Sequence, residues 1–172
     1  TSTQFFTASV AEELLLNTGL TEENKDRARH LLKEFGLYEY RDTHPSALSG
    51  GQKQRLAIAC AIFSGRGILI LDEPTTYLDV SYQVEVLELI RRLNRELGIT
   101  IVMVLHDINL AARYSDCLAA IRGGVLFTSG TPEEMVTEKN LRDIFEIEAA
   151  VYRDPIHGCP YFIPRRTTFD IK

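Results

Sequence analysis

Apolar residues recur at helical spacing through the first third of the chain, then give way to two short unbroken apolar runs. Ser9-Val10-Ala11-Glu12 has the form of a capping box and predicts a helix to about Asn17, closed by Gly19. Thr21 caps a second helix whose apolar positions Ala28, Leu31, Leu32 and Phe35 lead to Gly36. Residues 37–48 read as a connector, with His44-Pro45 barring helix. Ser49-Gly50-Gly51-Gln52 then opens a helical pattern over residues 53–63. Residues 67–71 form a continuous apolar run that predicts a strand buried on both faces. Val84, Leu87, Ile90, Leu93 and Leu97 mark an amphipathic helix, with Glu88 and Arg92 on its wet side and Gly98 as its stop. A second β-rich run covers residues 99–105. Strand, helix, strand is a βαβ unit, so the two strands are expected to be parallel, with their C-terminal ends on one edge.

The rest is smaller in scale. Residues 108–114 predict a short helix. Arg122-Gly123-Gly124, between two short β-rich runs, signals a hairpin. Thr131-Pro132-Glu133-Glu134 starts a further helix, residues 140–147 another, and residues 150–153 and 161–163 are strand-like. The pattern divides the chain into a helical region (1–65), an α/β region (66–130) and a C-terminal region of helices and strand-like tail (131–172). Residues 1–7 carry no start signal and read as if cut from something longer.

The chemistry-bearing residues gather at breaks in this pattern. A glycine pair after Ser49 admits close approach to a helix N-terminus, whose free N–H groups and positive dipole end suit an anion. The alternative is an ordinary loop that starts a helix. The first strand ends in Asp72-Glu73-Pro74 and the second runs into His106-Asp107. Ligands of open α/β sheets bind beyond such strand ends. A carboxylate there can hold Mg²⁺, usually through water. The adjacent one points the other way in an extended chain and can orient or deprotonate a water. A histidine at a neighbouring strand end can bond a terminal phosphate. The plainer readings are a solvated turn for Asp72-Glu73 and a helix cap for His106.

Composition narrows the class. At 172 residues, 45% hydrophobic and 25% charged, the chain can bury a core as one domain with a subdomain. A net charge of −5 gives nucleic acid no overall attraction. No apolar run approaches the ~20 residues of a membrane span. Cys60, Cys117 and Cys159 are scattered and form no C-x-x-C, which suits a reducing compartment and neither a disulfide framework nor a zinc site.

Together these residues carry a resemblance. Leu48-Ser49-Gly50-Gly51-Gln52 with Lys53-Gln54-Arg55 resembles the signature motif of ABC-type ATPases. Residues 68–74, ending in Asp72 and Glu73, resemble their Walker B strand with its catalytic glutamate; Thr76-Tyr77-Leu78-Asp79 resembles the D-loop, and His106 the switch histidine. Residues 4–42 are similar to the energy-coupling ATPases of cobalt, nickel and vitamin uptake. From residue 72 onward the chain is similar to importers of iron-siderophores, haem and cobalamin. The resemblance implies a partial P-loop NTPase core with a helical subdomain. It implies ATP and Mg²⁺ as cofactors, with Asp72 on the metal, Glu73 and His106 catalytic, and Ser49, Gly50, Gly51, Gln52 and Asp79 in nucleotide contact. It further implies a head-to-tail dimer with a second ATPase subunit, an integral membrane permease as partner, no nucleic acid, and a cytoplasmic place on the inner face of the membrane.

The family's Gly-rich loop ending in Gly-Lys-Ser/Thr is not found, because no Gly-Lys pair occurs in the sequence. The chain is therefore expected to be the C-terminal two-thirds of such a unit, without P-loop or antiparallel subdomain, inactive alone and exposing apolar sheet surface. Gln4 is left unassigned as a Q-loop residue. Two other functions compete. One is a non-catalytic module docking a partner through residues 8–63. The other is a soluble ABC ATPase of DNA or ribosomes, which the absence of long coiled-coil or basic insertions disfavours.

Overall fold

The computed structural model describes residues 5–16, 18–65, 67–76 and 78–167. Gln4 and Tyr77 lie outside them. The chain forms two compact units, residues 1–104 and 105–172.

The first unit begins with three helices. Helix α1 (Val10–Leu15) is capped by Ser9, whose Oγ accepts from the amide of Glu12. Two further amides of this end, Val10 and Ala11, donate to the carbonyls of Thr43 and Arg41. The connector thus satisfies helix-end donors that would otherwise lack partners. Helix α2 (Glu22–Glu34) is capped by Thr21 and followed by Gly36 at φ +62°. Pro45 does not leave its segment extended: it opens a short 3₁₀ turn, Pro45–Ala47, with the His44 ring accepting from the Ser46 amide. Proline fits the first position of such a turn because no donor is required of it there.

Helix α3 (Gly50–Phe63) packs against both α1 and α2. Leu56, Ile58, Ala59 and Phe63 of α3 and Val10, Leu14, Leu32 and Phe35 beside it are the buried apolar core here, all 2% exposed or less. The Arg27 guanidinium lies over the Phe63 ring at 4.8 Å and covers its edge of this core.

Strands β1 (Ile68–Asp72) and β2 (Thr100–Val104) pair in parallel, Ile68 opposite Thr100 and Asp72 opposite Val104. Helix α4 (Val80–Leu97) crosses between them and ends at Gly98 in the left-handed conformation. It begins earlier than its apolar pattern suggested, at a cap provided by Asp79. Val86, Leu87, Leu89, Ile90 and Leu93 are its buried face, whereas Leu97 is half exposed. The expectation of a doubly buried strand fails. Leu69 and Leu71 are buried, but Ile68 and Ile70 are 61% and 73% exposed, and Val102 and Val104 face outward with them. Among the described residues only one face of this two-stranded sheet is covered, which leaves the bare apolar surface that the sequence led us to expect.

The second unit starts with helix α5 (Ile108–Tyr114). Strands β3 (Leu118–Arg122) and β4 (Val125–Gly130) form an antiparallel hairpin. Gly123 and Gly124 sit at φ +59° and +78°, the paired left-handed turn that a two-residue hairpin loop requires. Helix α6 (Pro132–Met135) carries a complete capping box between Thr131 and Glu134. Helix α7 (Glu138–Phe145) stops short of the expected Ile147. Glu146 turns left-handed at φ +58°, its N–H bonded to the carbonyls of Leu141 and Arg142, and Ile147 opens strand β5 (Ile147–Arg153). Strand β6 (Pro160–Thr167) returns antiparallel to β5. Ala120, Met135 and Ile144 form this unit's central cluster, with Leu118 packed against it.

Candidate functional site

Ser49 forms the capping box its spacing predicts. Its Oγ accepts from the Gln52 amide at 3.3 Å, and the Ser49 amide donates to Gln52 Oε1 at 2.9 Å. Gly50 and Gly51 are the first two residues of α3 rather than a loop before it. Their roles differ. A side chain at Gly50 would meet nothing, so this turn is open to an incoming group; Gly51 is buried, and a Cβ there would lie 3.5 Å from the Tyr82 ring and 3.9 Å from Leu78. Gly50 therefore gives access, whereas a methyl group at Gly51 would make ordinary van der Waals contact. Both lie at the positive end of a 14-residue helix.

Tyr82 is held against Gly51 by the start of α4. Asp79 Oδ1 accepts from the Tyr82 amide at 3.1 Å and from the Ser81 hydroxyl at 2.8 Å. These bonds, the Tyr82 amide first, hold the Asp79 carboxyl below the usual carboxylate range. Asp79 is thus engaged as a helix cap beside the α3 N-terminus.

Asp72, the last residue of β1, is exposed at the C-terminal end of the sheet. Glu73 is half-buried and departs from expectation. It does not continue the strand: its backbone is left-handed, at φ +49°, so its direction relative to Asp72 is set by a turn and not by strand alternation. That conformation costs a residue with a Cβ roughly 1–2 kcal/mol. The Thr76 amide donates to the Glu73 carbonyl at 3.2 Å, closing the turn over the buried Pro74. The Thr76 hydroxyl donates to Glu73 Oε2 at 3.0 Å. Motif reading did not single out this contact.

His106 belongs to the second unit and is exposed. It is not the cap of α5. Asp107 is, its Oδ1 accepting from the Leu110 amide at 3.0 Å. A carboxylate is the stronger acceptor for a helix N-terminus, and one residue after His106 it takes the position. Ser49–Gln52, Asp72, Glu73 and Asp79 are all in the first unit.

The donor set at Asp72 fits a magnesium ion. It offers one hard oxygen at a strand end, and no group of three or more His, Cys, Asp or Glu is arranged for a metal among the described residues. Mg²⁺ keeps its waters and commonly takes one or two carboxylates plus phosphate oxygens. A cleft of about 460 Å³ is lined by Lys33, Arg55, Arg92, Glu34, Glu85 and Glu88 and shares only Arg55 with these motifs. Its mixed charges favour neither sign of ligand.

The family model described as ABC transporter matches residues 2–76. Petrobactin import ATP-binding protein FpuD of Bacillus anthracis is 44% identical over 144 residues, 84% of this chain and 53% of the relative. Residues 2–76 thus match the ABC transporter family, and most of the chain is similar to import ATP-binding proteins of that family. The iron(3+)-hydroxamate import ATP-binding protein FhuC of Bacillus subtilis is 45% identical over 136 residues, 79% of this chain and 51% of the relative. Ferric enterobactin transport ATP-binding protein FepC of Escherichia coli is 38% identical over 87% of this chain and 55% of its own length. A metal-chelate type ABC transporter in an inward-facing conformation superposes with a TM-score of 0.83 over 96% of this chain and 71% of its own; at 24% identity it shows the fold. The structure of cbiO1 from Clostridium perfringens, part of the ABC transporter complex cbiONQ, has a TM-score of 0.71 and 35% identity over 81% of this chain and 57% of its own. The mixed α/β fold is that of ABC ATPases, and the chain spans about half the length of the curated relatives it matches.

Proposed function

We propose that this chain is part of an ATP-hydrolysing subunit that drives uptake of a metal chelate, with an iron-siderophore or haem complex the best supported cargo class. The observation that carries it is the strand-end pair Asp72-Glu73, in a chain 38–45% identical to siderophore import proteins. In this reading Asp72 helps hold Mg²⁺ and Glu73 orients the attacking water and takes its proton. His106 bonds the terminal phosphate. Bound beside Asp72, Mg²⁺ would neutralise charge on the phosphate oxygens.

The open N-terminus of α3 at Ser49 and Gly50, the segment that resembles the signature motif, suits a phosphate held mainly by another subunit. Gln52, whose Oε1 caps Ser49, and Asp79, which seats Tyr82 against Gly51, support that half-site. The partners in this reading are a second ATPase subunit arranged head to tail and an integral membrane permease, with no role for nucleic acid. The described residues contain no helix long and apolar enough to cross a membrane, in keeping with a peripheral place on the inner, cytoplasmic face.

The test is ATP hydrolysis by the isolated chain and by a subunit completed with an upstream P-loop segment, each with and without Glu73→Gln. Negligible hydrolysis by the chain, and hydrolysis by the completed subunit that Glu73→Gln abolishes, is expected. Robust turnover by the chain alone would overturn the half-site reading.

A further inference from the structure

We propose that Thr76 is a positioning residue for Glu73, fixing the carboxylate through its hydroxyl. The inference rests on the reading of Glu73 as the carboxylate that orients the attacking water.

Two bonds from one residue grip Glu73 at both ends. The Thr76 amide holds its carbonyl at 3.2 Å, and the Thr76 hydroxyl holds Oε2 at 3.0 Å. Between them stands Pro74, whose ring fixes its own φ and is buried. A glutamate side chain has several rotatable bonds, and a water-orienting carboxylate must be held within a fraction of an ångström of its working place. Here the first degree of freedom is set by an unusual left-handed backbone at φ +49°, and the last by a hydroxyl three residues on. A left-handed non-glycine residue persists only where its surroundings over-determine it, and such residues gather at functional sites. Thr76 supplies that determination from within the same turn. It need not touch substrate to act.

The experiment uses the full-length subunit with its permease and compares Thr76→Val, which keeps shape and loses the donor, with Thr76→Ser, which keeps the donor. Thr76→Val is expected to lower kcat about tenfold or more, with KM for ATP within about twofold of the parent. Thr76→Ser is expected to restore most of kcat. In a Glu73→Gln background Thr76→Val should add no further loss, because the group it positions no longer works as a base. Parental kcat in Thr76→Val overturns the proposal. So does a Thr76→Ser variant as slow as Thr76→Val, since that would assign the effect to the methyl group's packing. Should Thr76→Val fail to fold, judged by its melting curve, Thr76→Ser and Thr76→Ala decide on the same kcat criterion. The underlying reading fails separately: Glu73→Gln would then keep its kcat whatever Thr76 does.

Discussion

Asn109 and Phe162 exchange two hydrogen bonds: Asn109 Nδ2 donates to the Phe162 carbonyl at 3.3 Å, and the Phe162 amide donates to Asn109 Oδ1 at 2.9 Å. A carboxamide side chain thereby imitates a neighbouring strand and fastens β6 to α5 across 53 residues of sequence. We expect Asn109→Ala to loosen the C-terminal hairpin. It leaves a part-buried amide and carbonyl without their partner, at a cost of about 1–3 kcal/mol. Amide hydrogen exchange at Phe162 should quicken far more than exchange at Ala112 on the inner side of α5. Unchanged protection at Phe162 would show that the hairpin stands without this contact.

Cysteine reactivity should separate two thiols that look alike in sequence. Burial pushes the Cys60 thiol up to about 12, and the nearby Glu13 carboxylate adds to the effect. Glu13 itself accepts from the Phe6 amide, the Thr7 amide and the Thr7 hydroxyl. Cys117 is exposed. Maleimide near neutral pH is therefore expected to label Cys117 in the native protein and Cys60 only after denaturation. Glu13→Gln removes the smaller cause, so Cys60 should remain slow. Rapid native labelling of the half-buried Cys60, read by peptide mass spectrometry, would contradict the raised thiol.

Acid should fray the start of α4. The Asp79 carboxyl is held below its ordinary value by the Tyr82 amide and the Ser81 hydroxyl. A depressed carboxylate contributes stability that is present above the unfolded-state value and lost as pH falls through the folded one. The contribution should thus be intact near pH 7 and decline on acidification below the ordinary carboxylate range of about 4. Asp79→Asn keeps a capping oxygen without a charge to titrate, so its melting temperature should depend less on pH there. Parallel curves for parent and variant would count against this role.

Ser49→Arg puts a long cation into the open turn beside Gly50. In a completed subunit we expect hydrolysis to fall while nucleotide binding to the same polypeptide is retained, because in the proposed half-site α3 serves the pocket of the partner. Equal loss of binding, measured by fluorescent-nucleotide titration, would place the half-site in its own chain instead.

The bare side of the β1–β2 sheet should make the isolated chain self-associate. Ile70→Lys, at a site already 73% exposed, is expected to lower the association seen in sedimentation velocity with little change in melting, since surface substitutions usually stay within about 0.5 kcal/mol. An unchanged sedimentation profile would show that association, if present, uses another surface.

What the sequence disclosed depended on whether the signal was periodic and local. Gly98 and the Gly123-Gly124 pair announced their left-handed backbones because glycine tolerates them without cost. Glu146 ends α7 in the same conformation without glycine, so the helix looked longer than it is. The apolar run at residues 67–71 proposed two covered faces; apolar composition says what a strand can bury, while coverage depends on which partners are present. The candidate site was legible as a set of motifs at strand and helix ends. The turn at Glu73 was not, because extended geometry was carried one residue too far past Asp72. Thr76 was hidden for a similar reason: a hydroxyl reaching a carboxylate three residues back across a left-handed turn follows neither helical nor strand period.

The left-handed Glu73 also bears on how such a protein drifts under mutation. Glycine or asparagine would occupy this backbone more comfortably than glutamate does, so, on the proposed role of Glu73, the residue best suited to fold here differs from the residue suited to work. Glu73→Gly variants should express well and melt no lower than the parent while turning over no ATP. On the proposed function, selection for solubility or abundance alone would then enrich silent subunits, and only selection for cargo uptake would keep glutamate in place.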